Sequence, residues 1–250
     1  MQLRGKTLLV TGATGGLGRA IATALAERDA ALVLSARKPA DLEALAESLP
    51  GAGHRVVLSD LAEPGAPEKL AADAGELDGA VLNAGLGANG QVDSFAPGEV
   101  ERILRVNFEA PVVLAREIVP ALREQGSGHV VFIASLAGKA SSSRHAVYGG
   151  TKAGLRAFAL GLRQDVGRDG VGASVINPGF IRDAGMFAES GAEPPMNLGT
   201  SSPQEVGAAV VDAIEKNRTE VDVAPFRQRQ MANFAHRFPG VAERLTKRLS

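Results

Sequence analysis

Lys6-Thr7-Leu8-Leu9-Val10-Thr11-Gly12-Ala13-Thr14-Gly15-Gly16-Leu17-Gly18 decides the fold. Lys6–Val10 is a short, bounded apolar run, the pattern of a buried strand. From Gly16 to Arg28 the apolar residues return at helical spacing, with Ile21 and Leu25 one turn apart. Between the two lies a glycine-rich turn. Gly12 permits the sharp bend, Gly16 lets the backbone approach a pyrophosphate, and Gly18 lets the helix pack close to the strand. The helix N-terminus then presents free N–H groups and a partial positive charge to an anion. The stretch Gly12, Thr14, Gly15, Gly16, Leu17 and Gly18 therefore predicts a nucleotide cradle rather than a plain structural turn. It is not a P-loop, because no Gly-Lys-Ser/Thr follows.

Outward from this unit, short apolar runs alternate with helical patterns. Strands are predicted over Ala31–Ser35, His54–Leu58, Gly79–Leu82, His129–Ala134, Gly172–Ile176 and Glu220–Ala224. Helices are predicted over Asp41–Ser48, Pro67–Asp73, Pro97–Gln125 with a bend near Asn107-Phe108, Val147–Arg168 and Pro203–Asn217. Strands separated by helices mean βαβ units and a parallel sheet, and right-handed crossovers put helices on both faces. The expected fold is a single-domain α/β doubly wound (Rossmann) parallel seven-stranded sheet. Residues 1–225 would form the dinucleotide-binding and catalytic domain, with a substrate lid over 180–202. Residues 226–250 would form a basic C-terminal helical extension.

Composition narrows the function. Apolar residues are 45% and charged residues 22% of 250, an ordinary soluble balance. There is no cysteine, which removes disulfides, thiolate metal sites and a cysteine nucleophile. The four histidines lack metal-ligand spacing, so no metal site is expected. A net charge of −1 with 4% aromatics argues against nucleic acid. No stretch approaches a membrane span, so stable membrane insertion is not expected and a cytoplasmic location is.

The second strand ends in Ser35-Ala36-Arg37-Lys38. A site for NAD would place a carboxylate near here to hold the ribose hydroxyls. Ala36 stands there instead, and Arg37 with Lys38 suits a 2′-phosphate through charge-assisted hydrogen bonds. NADP(H) is thus predicted over NAD(H), against the plain alternative of a solvated turn arginine.

Tyr148 and Lys152 are i, i+4 neighbours on one helix. An ammonium beside a phenol lowers its pKa toward neutrality, which a general acid/base needs. Ser135 ends the fifth strand, at the carboxyl edge where such folds place ligands, and can hold a substrate oxygen. Tyr148 is the only tyrosine in the chain.

With these pieces in order, residues 5 to about 225 resemble the short-chain dehydrogenase/reductase family in its compact single-domain branch. The matching motifs are Thr11-Gly-x-x-x-Gly-x-Gly18, Asp60, Asn83-Ala84-Gly85, Asn107, Ser135, Tyr148-x-x-x-Lys152 and Asn177-Pro178-Gly179. The resemblance implies a catalytic set of Asn107, Ser135, Tyr148 and Lys152. Tyr148 would exchange a proton with a carbonyl or alcohol oxygen, Ser135 would orient that oxygen, and Lys152 would lower the phenol pKa and bind the nicotinamide ribose. Asn107 would hold a water linking Lys152 to solvent. Asp60 with Leu61 would meet the adenine, Asn83, Ala84 and Gly85 the ribose and adenine side, and Pro178, Gly179 and Ile181 the nicotinamide. Read singly, Asn107 could only bend its helix, Asp60 could cap a turn, and Asn83-Ala84-Gly85 could be a strand-end turn.

The chain departs from the family in two places. Asp183 stands where the family often has a threonine near the cofactor, so that contact is in doubt unless Asp183 turns away or its loop is reorganised. After the last strand comes a tail with six Arg/Lys against one Glu, +5, leaving −6 for the rest. The tail reads as a helix packed on the subunit or a neighbour, ahead of an amphipathic membrane-surface helix. It also speaks against a 3-oxoacyl carrier-protein reductase, whose last strand is usually followed by a glycine-rich segment. The expected activity is an NADP(H)-dependent oxidoreductase acting on a small to medium, mostly apolar carbonyl or secondary alcohol. The alternatives are a non-catalytic NADP(H)-binding sensor or scaffold, or a 3-oxoacyl-thioester reductase. A homodimer through the two long helices, or a homotetramer, is expected.

Overall fold

The computed structural model of the protein describes residues 1–140, 142–183 and 198–249. Seven strands form one parallel sheet in the order β3-β2-β1-β4-β5-β6-β7. They are β1 (Thr7–Thr11), β2 (Ala31–Ala36), β3 (Arg55–Leu58), β4 (Gly79–Leu82), β5 (Gly128–Ile133), β6 (Val171–Pro178) and β7 (Glu220–Val223). The helices are α1 (Gly16–Ala26), α2 (Pro39–Ser48), α3 (Ala66–Ala74), α4 (Glu99–Leu104), α5 (Ala110–Gln125), α6 (Ala146–Val166), α7 (Pro203–Glu215), α8 (Phe226–Arg237) and α9 (Pro239–Leu249).

The continuous apolar runs are explained by burial on both faces. Along β1, Leu8 and Val10 enter one core with Ile21 and Leu25 of α1 and Val206 and Val210 of α7. Leu9 enters the other, with Leu114 of α5 and Leu155 of α6. Val131 and Ile133 of β5 face the first core, and Val130 and Phe132 the second. This period of two sorts each strand between the layers.

The chain runs outward from β1 to β3, then returns to lay β4 on the other side of β1. The carboxyl ends of β1 and β4 thus flank the switch point, where ligands bind in open α/β sheets. The bend predicted near Asn107 is realised as a π-turn over Arg105–Glu109, joining α4 to α5. The sixth strand is longer than predicted and carries Asn177 and Pro178 inside the sheet, because β7 pairs with both. Among the described residues no helix is long and apolar enough to cross a membrane. Of the predicted lid, residues 184–197 lie outside the described residues.

Candidate active site

The turn after β1 is held by strand-end contacts across the switch point. The Thr11 hydroxyl accepts from the Asn83 N–H at 3.0 Å and the Ala84 N–H at 3.1 Å. The Asn83 side-chain amide donates back to the Thr11 carbonyl at 3.0 Å and the Gly12 carbonyl at 3.2 Å. Gly12 has φ +62°, and a Cβ there would stand 2.9 Å from the Ala84 Cα. A Cβ on Gly18 would overlap the Gly12 carbonyl oxygen and stand 2.8 Å from the Ala13 Cα. Helix and turn therefore touch backbone to backbone. α1 opens at Gly16 with no side-chain cap and no acid in its first turn, so its first-turn amides remain available to an anion, while the Gly15 N–H donates to the Gly12 carbonyl at 3.2 Å. Arg19 ties the turn from behind, donating to the Thr14 carbonyl at 3.0 Å. Leu17 packs partly on the first core.

At the β2 end Arg37 is exposed. It lines a cavity of about 290 Å³ with Leu86, Gly87, Glu99, Arg102 and Ile103. Arg102 is a second cation there that spacing did not suggest, since only the fold brings α4 to β2. Lys38 lies 4.0 Å from Asp41. Asp60 accepts from the Ala62 N–H at 3.0 Å, as a turn cap does, and lies 3.8 Å from Arg102. The Leu61 side chain is buried in the second core, leaving only its backbone for any ligand.

The catalytic candidates converge beside this cleft. Ser135 follows β5 and opens a short 3-10 turn, accepting from the Ala137 N–H at 3.1 Å and donating to the Pro178 carbonyl at 3.3 Å. Gly138 ends that turn against α6, where a Cβ would stand 2.8 Å from the Lys152 carbonyl carbon. This close approach brings the Ser135 turn up to the helix that carries Tyr148 and Lys152. Lys152 is 3% exposed, and its amine donates to the Ile133 carbonyl at 2.8 Å. Asn107, fully buried in the π-turn, accepts from the Leu86 N–H at 2.7 Å and donates to the Leu86 carbonyl at 2.8 Å. It also donates to Thr151 at 3.3 Å, and Thr151 donates to the Tyr148 carbonyl at 2.7 Å. A Cβ on Gly85 would lie 3.5 Å from both the Asn107 oxygen and the Lys152 nitrogen. Four separate segments thus meet at one point.

One expectation needs correcting. The Tyr148 phenol is not lowered in this structure. Burial pushes it up, and the Ser135 hydrogen bond opposes that only in part. The Lys152 amine sits 5.8 Å from the ring centroid, and burial lowers it to about 8. Desolvation outweighs the charge pairing that helical spacing suggested. Asp183 is mostly exposed, has φ +68° and pairs with Arg182 at 3.3 Å.

Sequence reading missed two further elements. Lys139, just past the Ser135 turn, donates to Asp222 at 2.7 Å and lies 2.9 Å from Glu220. Arg156 of α6 grips Glu220 through two hydrogen bonds of 2.6 and 2.9 Å, and the Asn177 amide reaches both carboxylates. Burial alone would raise Glu220, but Arg156 and Lys139 outweigh it and hold it at about 2. Gln228 of α8, 6% exposed, accepts from the Phe180 N–H at 3.2 Å, and its amide oxygen occupies the space a Cβ on Gly179 would need. Alternating acids in β7 were the available signal for the first. Nothing local marked Gln228, which lies 48 residues from its partner.

The chain is similar to known proteins over most of its length. Residues 6–195 match the short chain dehydrogenase family. The chain is 36% identical over 227 residues to a ketoacyl reductase, HetN, from Nostoc sp., covering 88% of this chain and 79% of that one. It is 31% identical over 241 residues to dehydrogenase/reductase SDR family member 7B of Mus musculus, covering 90% and 75%. Among solved structures, a short-chain dehydrogenase from Sphingobium yanoikuyae in complex with NADPH superposes with a TM-score of 0.80 at 25% identity, over 87% of each chain.

Proposed function

The chain belongs to the short-chain dehydrogenase family, and we propose that within it the protein is an NADP(H)-dependent oxidoreductase of a mostly apolar carbonyl or secondary alcohol. The observation that carries this reading is the meeting of Asn107 and Lys152 at Gly85, with Tyr148 one turn before Lys152 on α6 and Ser135 at the end of β5, whose Ile133 carbonyl holds the Lys152 amine. A binding module has no use for a buried amine one helical turn from the chain's single phenol.

The residues suit the cofactor. The uncapped first turn of α1 suits the pyrophosphate, and Arg37 with Arg102 suits a 2′-phosphate. Asn83, Ala84 and Gly85 border the ribose side, Asp60 and the Leu61 backbone the adenine, and Pro178, Gly179 and Ile181 the nicotinamide. When bound, the nicotinamide supplies or accepts hydride at the substrate carbon. The chain itself manages the proton. Tyr148, kept protonated by burial, donates to the carbonyl oxygen that Ser135 holds. Lys152, mostly charged at pH 7 given its value of about 8, stabilises the phenolate that results. Asn107 fixes Thr151 and the Leu86 backbone, and so the wall around that amine.

A 3-oxoacyl-thioester reductase is the second reading, favoured by the ketoacyl reductase relative. A panel of ketones and thioesters followed by nicotinamide absorbance separates the two. In the same assay Tyr148→Phe is expected to lose about 10²–10⁴-fold in kcat while NADPH affinity stays near normal. Retained turnover in that variant, or tighter binding of NADH than NADPH, would overturn the corresponding half of the proposal.

A further inference from the structure

Helix α8 is packed inside out. Its inward positions are Gln228, Ala232 and Ala235, spaced i, i+4, i+7. Its outward side carries the large apolar groups: Phe226 is 66% exposed, Phe234 41% and Phe238 50%. Phe234 and Phe238 rest on each other, ring centroids 5.4 Å apart. Val241 and Leu245 extend the exposed apolar surface along α9. A surface helix ordinarily buries such residues and exposes the polar ones. Of the nine large apolar residues that are exposed among the described residues, six lie in this tail, and clustering of that kind marks a contact surface.

Charge decides what the surface meets. Arg227 precedes Phe234 by seven residues and so shares its side of the helix, and Arg227, Arg229, Arg237 and Arg244 are all exposed. Residues 226–250 hold six Arg/Lys and one Glu. A symmetric contact between two copies of this face would set cations against cations. Its outer surface is a helix pair that offers aromatic rings with guanidinium groups among them, the composition of helices that lie in a lipid interface. There the rings enter the headgroup boundary, and long cationic side chains reach the phosphates.

We propose that the outward face of α8 and α9 docks the protein on an anionic lipid bilayer, peripherally and without spanning it. Gln228 seats the same helix on Phe180, so the bilayer would lie about one helix diameter, ~10 Å, from the turn beside the catalytic groups. An apolar substrate dissolved in lipid would then be delivered next to the site.

The test is sedimentation of the full chain with phosphatidylcholine vesicles, with and without phosphatidylglycerol, at low and high salt. The expected result is pelleting with phosphatidylglycerol vesicles, weakened by salt and absent with phosphatidylcholine alone. Phe234→Ser/Phe238→Ser and, separately, Arg227→Glu/Arg237→Glu should each weaken binding about tenfold or more at unchanged NADPH affinity, which also reports that both variants fold. Failure of the wild type to pellet, or equal pelleting of wild type and both variants, would overturn the proposal. So would light scattering that shows a dimer which the Phe234→Ser/Phe238→Ser variant dissolves, because the face would then be covered by a second copy. None of these readouts depends on turnover, so they stand apart from the fate of the assigned reaction.

Discussion

The two halves of the cleft are built from different materials. On the nucleotide side, the turn after β1 touches α1 and the end of β4 through backbone atoms, and its glycines stand where no Cβ fits. On the catalytic side, side chains do the positioning. Lys139, Glu220, Asp222, Arg156 and Asn177 tie the Ser135 turn and α6 to β7, and Gln228 supports the turn after β6. A backbone cradle is intolerant of added volume. A network of partly buried charges is intolerant of a missing partner.

Four measurements would break or sharpen that contrast. Gly18→Ala should have the largest effect, since its new Cβ meets only backbone of Gly12 and Ala13. Urea unfolding should show a loss of about 3 kcal/mol, and NADPH binding should fall with it. A variant of normal stability and affinity would show that the turn is not backbone-limited. Lys139→Met should cost about 2–3 kcal/mol by leaving Glu220 and Asp222 short of a cation, with NADPH affinity little changed because the phosphate turn is remote from it. A neutral result would make the network ornamental.

The third measurement is a control away from the cleft. His129, at the amino end of β5, is buried against Ser174 at 2.8 Å. Burial, with the charges of the N-terminus and Arg163 adding to it, lowers it to about 3. Its folded value lies below the ordinary 6.5, so the unfolded chain binds the extra proton across that interval. Stability from this group is therefore complete above pH 6.5 and is lost toward pH 3, by about 1.4 kcal/mol for each pH unit. In His129→Gln that slope should flatten while activity persists; an unchanged slope would place acid sensitivity in other groups. The smallest effect is expected from Gln228→Ala, which removes the hydrogen bond that the Gln228 oxygen accepts from the Phe180 N–H. Stability should fall by about 1 kcal/mol, and kcat/KM should drop severalfold with KM for the carbonyl carrying most of it. An unchanged KM would remove Gln228 from the positioning of that turn.

The same contrast explains what could be read in advance. Gly12 and Gly18 are legible because a sharp turn and a close helix approach have few chemical solutions, and both lie within one strand–turn–helix unit. Asn107 was placed correctly at a bend, and Tyr148 and Lys152 on one helix, because those relations span at most a turn or two. The expectation that Lys152 lowers the phenol failed for a physical reason: helical spacing gives proximity, while burial of both groups gives the sign. Arg102, Lys139 and Gln228 were invisible because their partners are brought close only by crossovers. The tail was expected to pack as a helix. It does so through Gln228 and Ala232, with its aromatic side turned out.

By itself the sequence determined the alternation of strands and helices, the phosphate turn and the order of catalytic residue types, since local periodicity and steric limits act within a few residues. The tertiary structure decided which charges neutralise one another, which polar atoms are buried, and which face of α8 meets solvent. Those depend on dielectric surroundings and on contacts between segments tens of residues apart, and no local pattern encodes them.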